Sequence, residues 1–509
     1  MSSRVLRSMM APGLLALALA GCSLAPRYER PVAPIPQQYP DQSASAREKG
    51  GLSAHAIAPS ATGAAGLGWR QFFRDPRLIA LIGIALNNNR DMRIAVQRVL
   101  EARAQYGIQD SNRLPTLGIG GNGTIQGQPA NLRSNGAAGG SVSRYYQAGL
   151  GTTAFQLDFF GRLKNLSQVA YQQYLASEQA QRTVHITLVA QVAGAYFNLR
   201  AAEQQADLLQ KTLASRQQTF NLVQSQFKAG VASTLDLNQA QSLLDSGRAD
   251  QAAAIRAQSQ ARNALQLLVG EPIPDNLPQG AVFGKDQLLV AIPVGLPSDL
   301  LERRPDIMGA ENNLRAADAN IGAARAAFFP SISITGLLGF ASPALGGLFQ
   351  AGQHYWSLAP QITQPLFAGG VSGGLDLAKA SQKEAVAQYE KTIQTAFREV
   401  ADALAGEATY SQQLDALRSL EQSNIQTLKL SKLRYTSGID SFLQVQTAEV
   451  NLYTAQISFL QTGLNSLVNR VALYQALGGG WLENSATPSV PAGAGVLPVA
   501  ADAAPGKTQ

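Results

Sequence analysis

Two hydrophobic periods alternate along this chain, and the same order of periods occurs twice. Short segments alternate apolar and polar residues with period two, the signature of strands with one wet face. They lie around Leu117-Gly118-Ile119 and at Phe155-Gln156-Leu157-Asp158-Phe159, then at Ile332-Ser333-Ile334-Thr335 and Leu358-Ala359-Pro360-Gln361-Ile362. After each pair the period lengthens to that of a helix. Val450, Tyr453, Ile457, Leu460, Leu464, Leu467, Val471 and Tyr474 step by three and four in turn, a heptad seam that predicts left-handed coiled-coil packing. Ala254, Ala257, Ala261, Ala264 and Leu268 repeat that spacing with smaller residues. Val184, Leu188, Val192, Ala195 and Leu199 mark a first long helix, and Ile393, Phe397, Val400, Leu404 and Ala408 mark its counterpart.

Proline shows how long these helices can run. Of 24 prolines, none lies between Pro129 and Pro272 or between Pro365 and Pro488. A proline inside a helix costs about 3 kcal/mol, so such gaps permit very long helices. The pattern from Leu163 to Lys228 predicts one of nearly ~100 Å, and Leu375 to Arg434 one of similar length. Neither is stable alone in water, so both need lateral partners.

The two halves are copies. Phe227-Lys228-Ala229-Gly230-Val231-Ala232-Ser233-Thr234-Leu235-Asp236 aligns with Tyr435-Thr436-Ser437-Gly438-Ile439-Asp440-Ser441-Phe442-Leu443-Gln444, at an offset of about two hundred residues. Each copy predicts two strands, a long helix, a glycine-centred turn and a second long helix, so an elongated duplicated hairpin without a compact catalytic core. An antiparallel coiled-coil rod would show the same seams.

The strands carry aromatic ends: Tyr145, Tyr146, Phe159, Phe160, Phe328, Phe329, Tyr355, Trp356 and Phe367. Alternating segments of about ten residues with aromatic girdles are what outer-membrane barrel strands look like. Four strands leave open edges that lipid does not tolerate, so the chain is expected to contribute them to a shared barrel; two chains would supply eight strands and three would supply twelve. A small soluble sheet capping a helical bundle is the alternative.

The N-terminus predicts export. Arg4 and Arg7 precede an apolar run from Leu14 to Leu19 that is too short to span a bilayer. Leu19-Ala20-Gly21-Cys22 then resembles the bacterial lipobox, which implies diacylglycerol and an N-acyl chain on Cys22, the chain's one cysteine. Ser23 stands where an aspartate would mark inner-membrane retention, so the outer membrane is expected. Net charge is +7, and charged residues make up 15% of the chain against a usual ~25%. That is too mild to argue for nucleic acid. Gly118-Ile119-Gly120-Gly121-Asn122-Gly123 matches a dinucleotide fingerprint in letters but falls in strand and loop pattern. His55, His185 and His354 have no ligand cluster at metal spacing, and no catalytic constellation appears; no enzyme, metal or non-covalent cofactor is expected.

One further motif, Pro297-Ser298-Asp299-Leu300-Leu301-Glu302-Arg303-Arg304-Pro305-Asp306-Ile307, joins the halves. Asp306 can start the next helix, and the paired arginines either stay solvated or bind carboxylates at the junction. This segment resembles the junction of the outer-membrane efflux protein family. So do Ala323-Ala324-Arg325-Ala326-Ala327-Phe328-Phe329-Pro330-Ser331-Ile332 and Trp356-Ser357-Leu358-Ala359-Pro360-Gln361-Ile362-Thr363-Gln364-Pro365-Leu366-Phe367, the nearest branch being TolC-like, NodT-type lipoproteins of resistance-nodulation-division pumps. The resemblance covers roughly residues 67–480. It implies a mostly α fold with a small β part, and a homotrimer with a shared twelve-stranded β-barrel and a twelve-helix periplasmic α-barrel. The implied partners are outer-membrane lipid, a periplasmic membrane-fusion adaptor and an inner-membrane pump. The implied function is a passive exit duct for drugs or other small amphiphiles. A type I protein-secretion duct and a structural coiled-coil lipoprotein are the alternatives.

The resemblance also carries a site. The two turns become periplasmic tips, with Gly230 and Gly438 as turn glycines. Asp236 and Tyr435 match residues that hydrogen-bond in relatives to hold the closed state, so a latch between them is expected, although Asp236 can also simply start a helix. Leu443 matches a constricting leucine. Gln444 and Thr447 replace aspartates common at the constriction, with Asp440 and Glu449 nearby, so weaker cation selectivity and weaker divalent block are expected. The resulting division is a leader at 1–21, an acylated start and extended linker at 22–68, repeats at 69–296 and 297–480, and a tail at 481–509. Strands are expected at about 114–128, 145–160, 330–342 and 354–367, and long helices at about 161–270 and 373–477.

Overall fold

The computed structural model describes residues 23–39, 64–128, 141–284, 287–288, 292, 297–367 and 369–485. Cys22 and the tail beyond Ser485 lie outside them. A short helix α1 (Trp69–Phe72) leads into α2 (Pro76–Asn88) and α3 (Arg90–Ser111), then strands β1 (Gly118–Gln128) and β2 (Ser141–Leu157). The hairpin of α4 (Arg162–Lys228) and α5 (Thr234–Val269) follows. The second half repeats the plan with α6 (Leu300–Arg303), α7 (Pro305–Ala326), β3 (Ser331–Ser342), β4 (His354–Thr363), α8 (Gly369–Thr436) and α9 (Phe442–Ala476). At 67 and 68 residues, α4 and α8 are each about 100 Å long. The helices α2 and α3, which stand before the first strands, were not read from the sequence. No helix among the described residues is long and apolar enough to cross a membrane.

The strands form one antiparallel sheet in the order β1-β2-β3-β4, with β1 and β4 as open edges. Register decides its chemistry. Ile119 pairs with Leu150, Leu150 with Leu338, and Leu338 with Trp356, giving one apolar row across all four strands. All four side chains are exposed. Ile332, Ile334 and Phe340, with Leu358 and Ile362, share that face. Asn122, Thr124, Gln126, Gln147, Ser333, Thr335, Ser357 and Gln361 fall on the other. The apparent conflict within β2, where Tyr146, Ala148 and Leu150 are even and Phe155 and Leu157 odd, is resolved by a bulge between Thr152 and Phe155. Its extra residue flips the parity, and Ala154 takes a positive φ of 51° there. The glycine-rich segment from Gly118 lies within β1, which removes the nucleotide reading. Below the sheet, Phe159, Phe328, Phe329 and Phe367 are exposed at the strand–helix junctions.

Mid-length, a core joins both repeats. Phe72, Leu78 and Ile82 pack on Val192, Tyr196 and Phe197 of α4, Leu265 of α5, and Leu464, Leu467, Val471 and Tyr474 of α9. The heptad seam of α9 is therefore buried at this level, while Val450 near the tip is 42% exposed. On α5 the buried stripe runs through Ala254 and Leu265, and the expected seam residues Ala257 and Ala264 stay exposed. Asp75 pins this layer to α4. Its Oδ1 accepts from the amides of Arg77 and Leu78 at the start of α2, and its Oδ2 from the Tyr196 hydroxyl at 2.7 Å and the Ala281 amide at 3.0 Å. A buried carboxylate needs that many donors to offset lost hydration.

Residues 23–39 have no regular secondary structure and are packed as a strap. Ser23 Oγ donates to Asn165 near the start of α4, and Arg325 near the end of α7 donates to the Leu24 carbonyl. Glu311 accepts from the Tyr28 hydroxyl at 2.9 Å, from Arg30 through both oxygens, and from Arg315 at 2.7 Å. Tyr39 is buried and stacks on Phe397 with ring centroids 5.2 Å apart.

The arginine pair at the junction takes the carboxylate-binding alternative. Arg304 is 8% exposed; it forks onto Asp306, reaches Glu399 of α8 at 2.7 Å and donates to the Ala476 carbonyl at 3.0 Å, where α9 ends. Burial alone would lower its pKa, but these carboxylates outweigh that and raise it. Asp306 is at the start of α7, as the sequence suggests. His185 packs edge-on to Trp481 at 4.9 Å, and burial pushes its pKa down to about 4, so it is a neutral packing residue at neutral pH.

Candidate gate at the hairpin tips

Both hairpins turn by the same bonds. At the first, the Gly230 amide donates to the Phe227 carbonyl and the Val231 amide to Gln226; at the second, Gly438 donates to Tyr435 and Ile439 to Arg434. Gly230 has φ +73° and Gly438 φ +69°, the left-handed region that glycine enters without strain. A small core closes the tip: Val223, Ala240, Phe442 and Val445 are buried, with Phe220, Ala232, Leu237, Leu428 and Tyr435 packed around them. It contains residues of all four long helices, so relative movement of the hairpins must disturb it.

The expected bond between Asp236 and Tyr435 is absent from this arrangement. Asp236 Oδ2 accepts from the Ser233 amide at 3.1 Å and hydroxyl at 2.8 Å, while the Asp236 amide donates back to Ser233 Oγ. That reciprocal capping box satisfies the first turn of α5 locally. Tyr435 instead donates to Gln226 Oε1 on α4 at 2.8 Å, with its ring edge-on to Phe442 at 5.5 Å. Burial, and secondarily the charge of Asp236, raises the pKa of the Tyr435 hydroxyl, so the carboxylate is close without being its partner. Asp236 thus starts a helix, the alternative the sequence left open.

Leu443, Gln444 and Thr447 lie on the exposed side of the first turns of α9, opposite buried Phe442, Val445 and Ala448. Leu443 is 51% exposed. Ser441 makes no side-chain cap, unlike Ser233, and Gln444 stands exposed at the position where Asp236 folds back. The two nearby acids are both paired. Asp440, just before α9, forms an ion pair with Arg434 at the end of α8. The hydrogen bond from Arg434 is the main reason its carboxyl sits below the usual range. Glu449 is 5% exposed, meets Lys432 of α8 at 2.8 Å, and accepts weakly from Thr219 of α4 at 3.5 Å. Lys432 also donates to Ser215 of α4. Lys432, Arg434 and Gln226 were not singled out from the sequence. The Arg434–Asp440 spacing across a glycine turn was the one visible hint, whereas the partner of Tyr435 and the Ser215 contact of Lys432 are on α4, more than two hundred residues away. No group of three or more His, Cys, Asp or Glu among the described residues is placed to hold a metal ion.

An apolar row and a polar face on one sheet, carried on paired helices about 100 Å long, are the build of an outer-membrane channel protein. Comparison with known proteins gives the family. A profile described as outer membrane efflux protein matches residues 81–271 and 296–479, so the chain belongs to the outer membrane efflux protein family. The toluene efflux pump outer membrane protein TtgF of Pseudomonas putida is 46% identical over 475 residues, 93% of this chain and 97% of that protein. Outer membrane protein OprJ of Pseudomonas aeruginosa is 42% identical over 92% of this chain and 95% of its own length. Among solved structures, the open state of the Neisseria gonorrhoeae MtrE outer membrane channel matches with TM-score 0.79 and 39% identity, covering 92% of this chain and all of that one. The protein is accordingly a non-enzymatic outer-membrane channel and a component of an efflux pump.

Proposed function

We propose that three copies of this chain close a twelve-stranded barrel in the outer membrane, continued by a twelve-helix periplasmic tunnel. This trimer is the passive outlet of a pump completed by a periplasmic adaptor and an inner-membrane resistance-nodulation-division transporter. The observation that carries it is the sheet: β1 and β4 each lack a second neighbour among the described residues, and an exposed apolar row crosses all four strands. Unpaired edges are intolerable in lipid, and closure removes them. Exposed Leu235, Ile255 and Leu267 on α5 and Leu420, Ile425, Leu430 and Leu433 on α8 supply the lateral apolar contacts that three packed copies need.

Cys22 carries the lipid in this reading. The strap that follows it begins at Ser23 beside Asn165, three residues into α4, at the barrel's base next to the stacked Phe160 and Phe329. Acyl chains there would enter the inner leaflet, each buried methylene contributing about 0.8 kcal/mol. The cargo is small and amphiphilic, in keeping with relatives named for toluene, solvent and antibiotic efflux. The test is the mass of the purified lipoprotein in detergent together with planar-bilayer conductance. A trimer that conducts supports the proposal; a stable monomer, or a trimer that never conducts even after Tyr435→Phe, refutes it.

A further inference from the structure

Resting on the channel reading above, we infer that Arg434 sets the charge selectivity of the periplasmic mouth, by cancelling the one carboxylate that would otherwise stand bare beside the constriction. Asp440 stands two residues before α9, and Gln444 is the third residue of that helix. Four residues span at most about 14 Å, comparable with the Debye length of ~10 Å at 0.1 M salt, so ions passing Leu443 and Gln444 would feel a bare carboxylate there. It is not bare: the Arg434 guanidinium reaches it through Nε and Nη2.

The other charges at this end do not replace it. Glu449 is buried and paired with Lys432. Asp236 is turned back into the Ser233 capping box on the other hairpin, where Lys228 at the end of α4 carries the opposite sign. The residues that face outward on α9, Leu443, Gln444 and Thr447, are uncharged. The wall at the opposite end of the duct is neutral too. On the polar face of the sheet, Asn122, Thr124, Gln126, Ser143, Tyr145, Gln147, Gln156, Ser333, Thr335, Tyr355, Ser357 and Gln361 include no charge; Arg144 falls on the apolar face. At the mouth, then, one guanidinium decides the charge that a passing ion meets. With Arg434 in place, anionic, neutral and cationic amphiphiles pass the mouth without electrostatic preference. Without it, three copies would present a ring of Asp440 carboxylates, which attracts cations and holds divalent ions.

The experiment is a reversal-potential measurement in planar bilayers under a tenfold KCl gradient, where an ideally selective pore would read about 59 mV. Wild type and Arg434→Lys should both read close to zero, because lysine keeps the charge. Arg434→Gln should move most of the way towards the potassium potential and become sensitive to magnesium block. Gln444→Asp is the control that shows what an added carboxylate at the constriction does. A strongly cation-selective wild type would overturn the inference, as would Arg434→Gln reading like wild type while Gln444→Asp shifts. Absence of current from every variant, even with Tyr435→Phe added, would instead strike the channel reading, and this inference would fall with it.

Discussion

Lys432 of α8 pairs with Glu449 of α9 within the second hairpin, each making a lesser contact with α4, and the asymmetry of their burial fixes what each substitution should do. Glu449 is 5% exposed with its Oε2 buried and unpartnered, whereas the Lys432 side chain is 37% exposed and can swing into water. Lys432→Met strands a buried carboxylate. Removing one partner of a fully buried pair costs about 3–5 kcal/mol, and an exposed pair is worth about 0–1 kcal/mol. With one partner buried and the other partly wet, about 2 kcal/mol is the expected loss for Lys432→Met, against less than about 1 kcal/mol for Glu449→Gln. Two kcal/mol is roughly a thirtyfold change in the local opening equilibrium. Hydrogen exchange of the α9 amides around residue 449 measures that opening directly. Lys432→Met should accelerate exchange by about thirtyfold, Glu449→Gln by no more than about fivefold, and the double change Lys432→Met with Glu449→Leu should return most of the protection. Equal effects of the two single changes, or a double variant as labile as Lys432→Met, would show that the pair does not hold the two helices of this hairpin together.

Three further outcomes are expected. Arg304→Ala removes a charged donor from the Ala476 carbonyl and separates Asp306 from Glu399, so unfolding followed by tryptophan fluorescence should show a loss of about 3 kcal/mol, with Arg304→Lys losing less. Gly230→Ala and Gly438→Ala add a Cβ that meets nothing within 4 Å but forces alanine into the left-handed region. Each should cost about 1 kcal/mol in thermal unfolding, and no loss would mean the turns relax freely. Glu311 gives a pH test. Burial would raise its pKa, but hydrogen bonds from Tyr28 and Arg30 and the charges of Arg315 and Arg30 outweigh it and lower it. A lowered folded pKa contributes stability above the unfolded value of about 4.3, lost as pH falls through the folded one. Protease cleavage within residues 23–39 should therefore be slow at neutral pH and rise below about pH 4, and Glu311→Gln should cleave readily at both.

What the sequence determined by itself was everything that depends on neighbours a few residues apart. The proline-free stretches and the steps of three and four fixed long helices, because helical hydrogen bonds and side-chain contacts reach only one turn. The paired glycines marked both tips, because φ near +70° at Gly230 and Gly438 favours that residue type locally. Tertiary structure decided which of several satisfactory partners each group took. Asp236 could serve a helix start or Tyr435, and the nearer Ser233 took it, leaving Tyr435 to Gln226 on the other hairpin. The parity of β2 could not be read through its bulge, because only pairing with β3 shows where the extra residue sits. The docking of residues 23–39 could not be read, since Glu311, Asn165 and Phe397 lie far from them in sequence. Periodicity is written in local spacing, whereas the choice of a distant partner depends on how packed elements bring groups within hydrogen-bond distance.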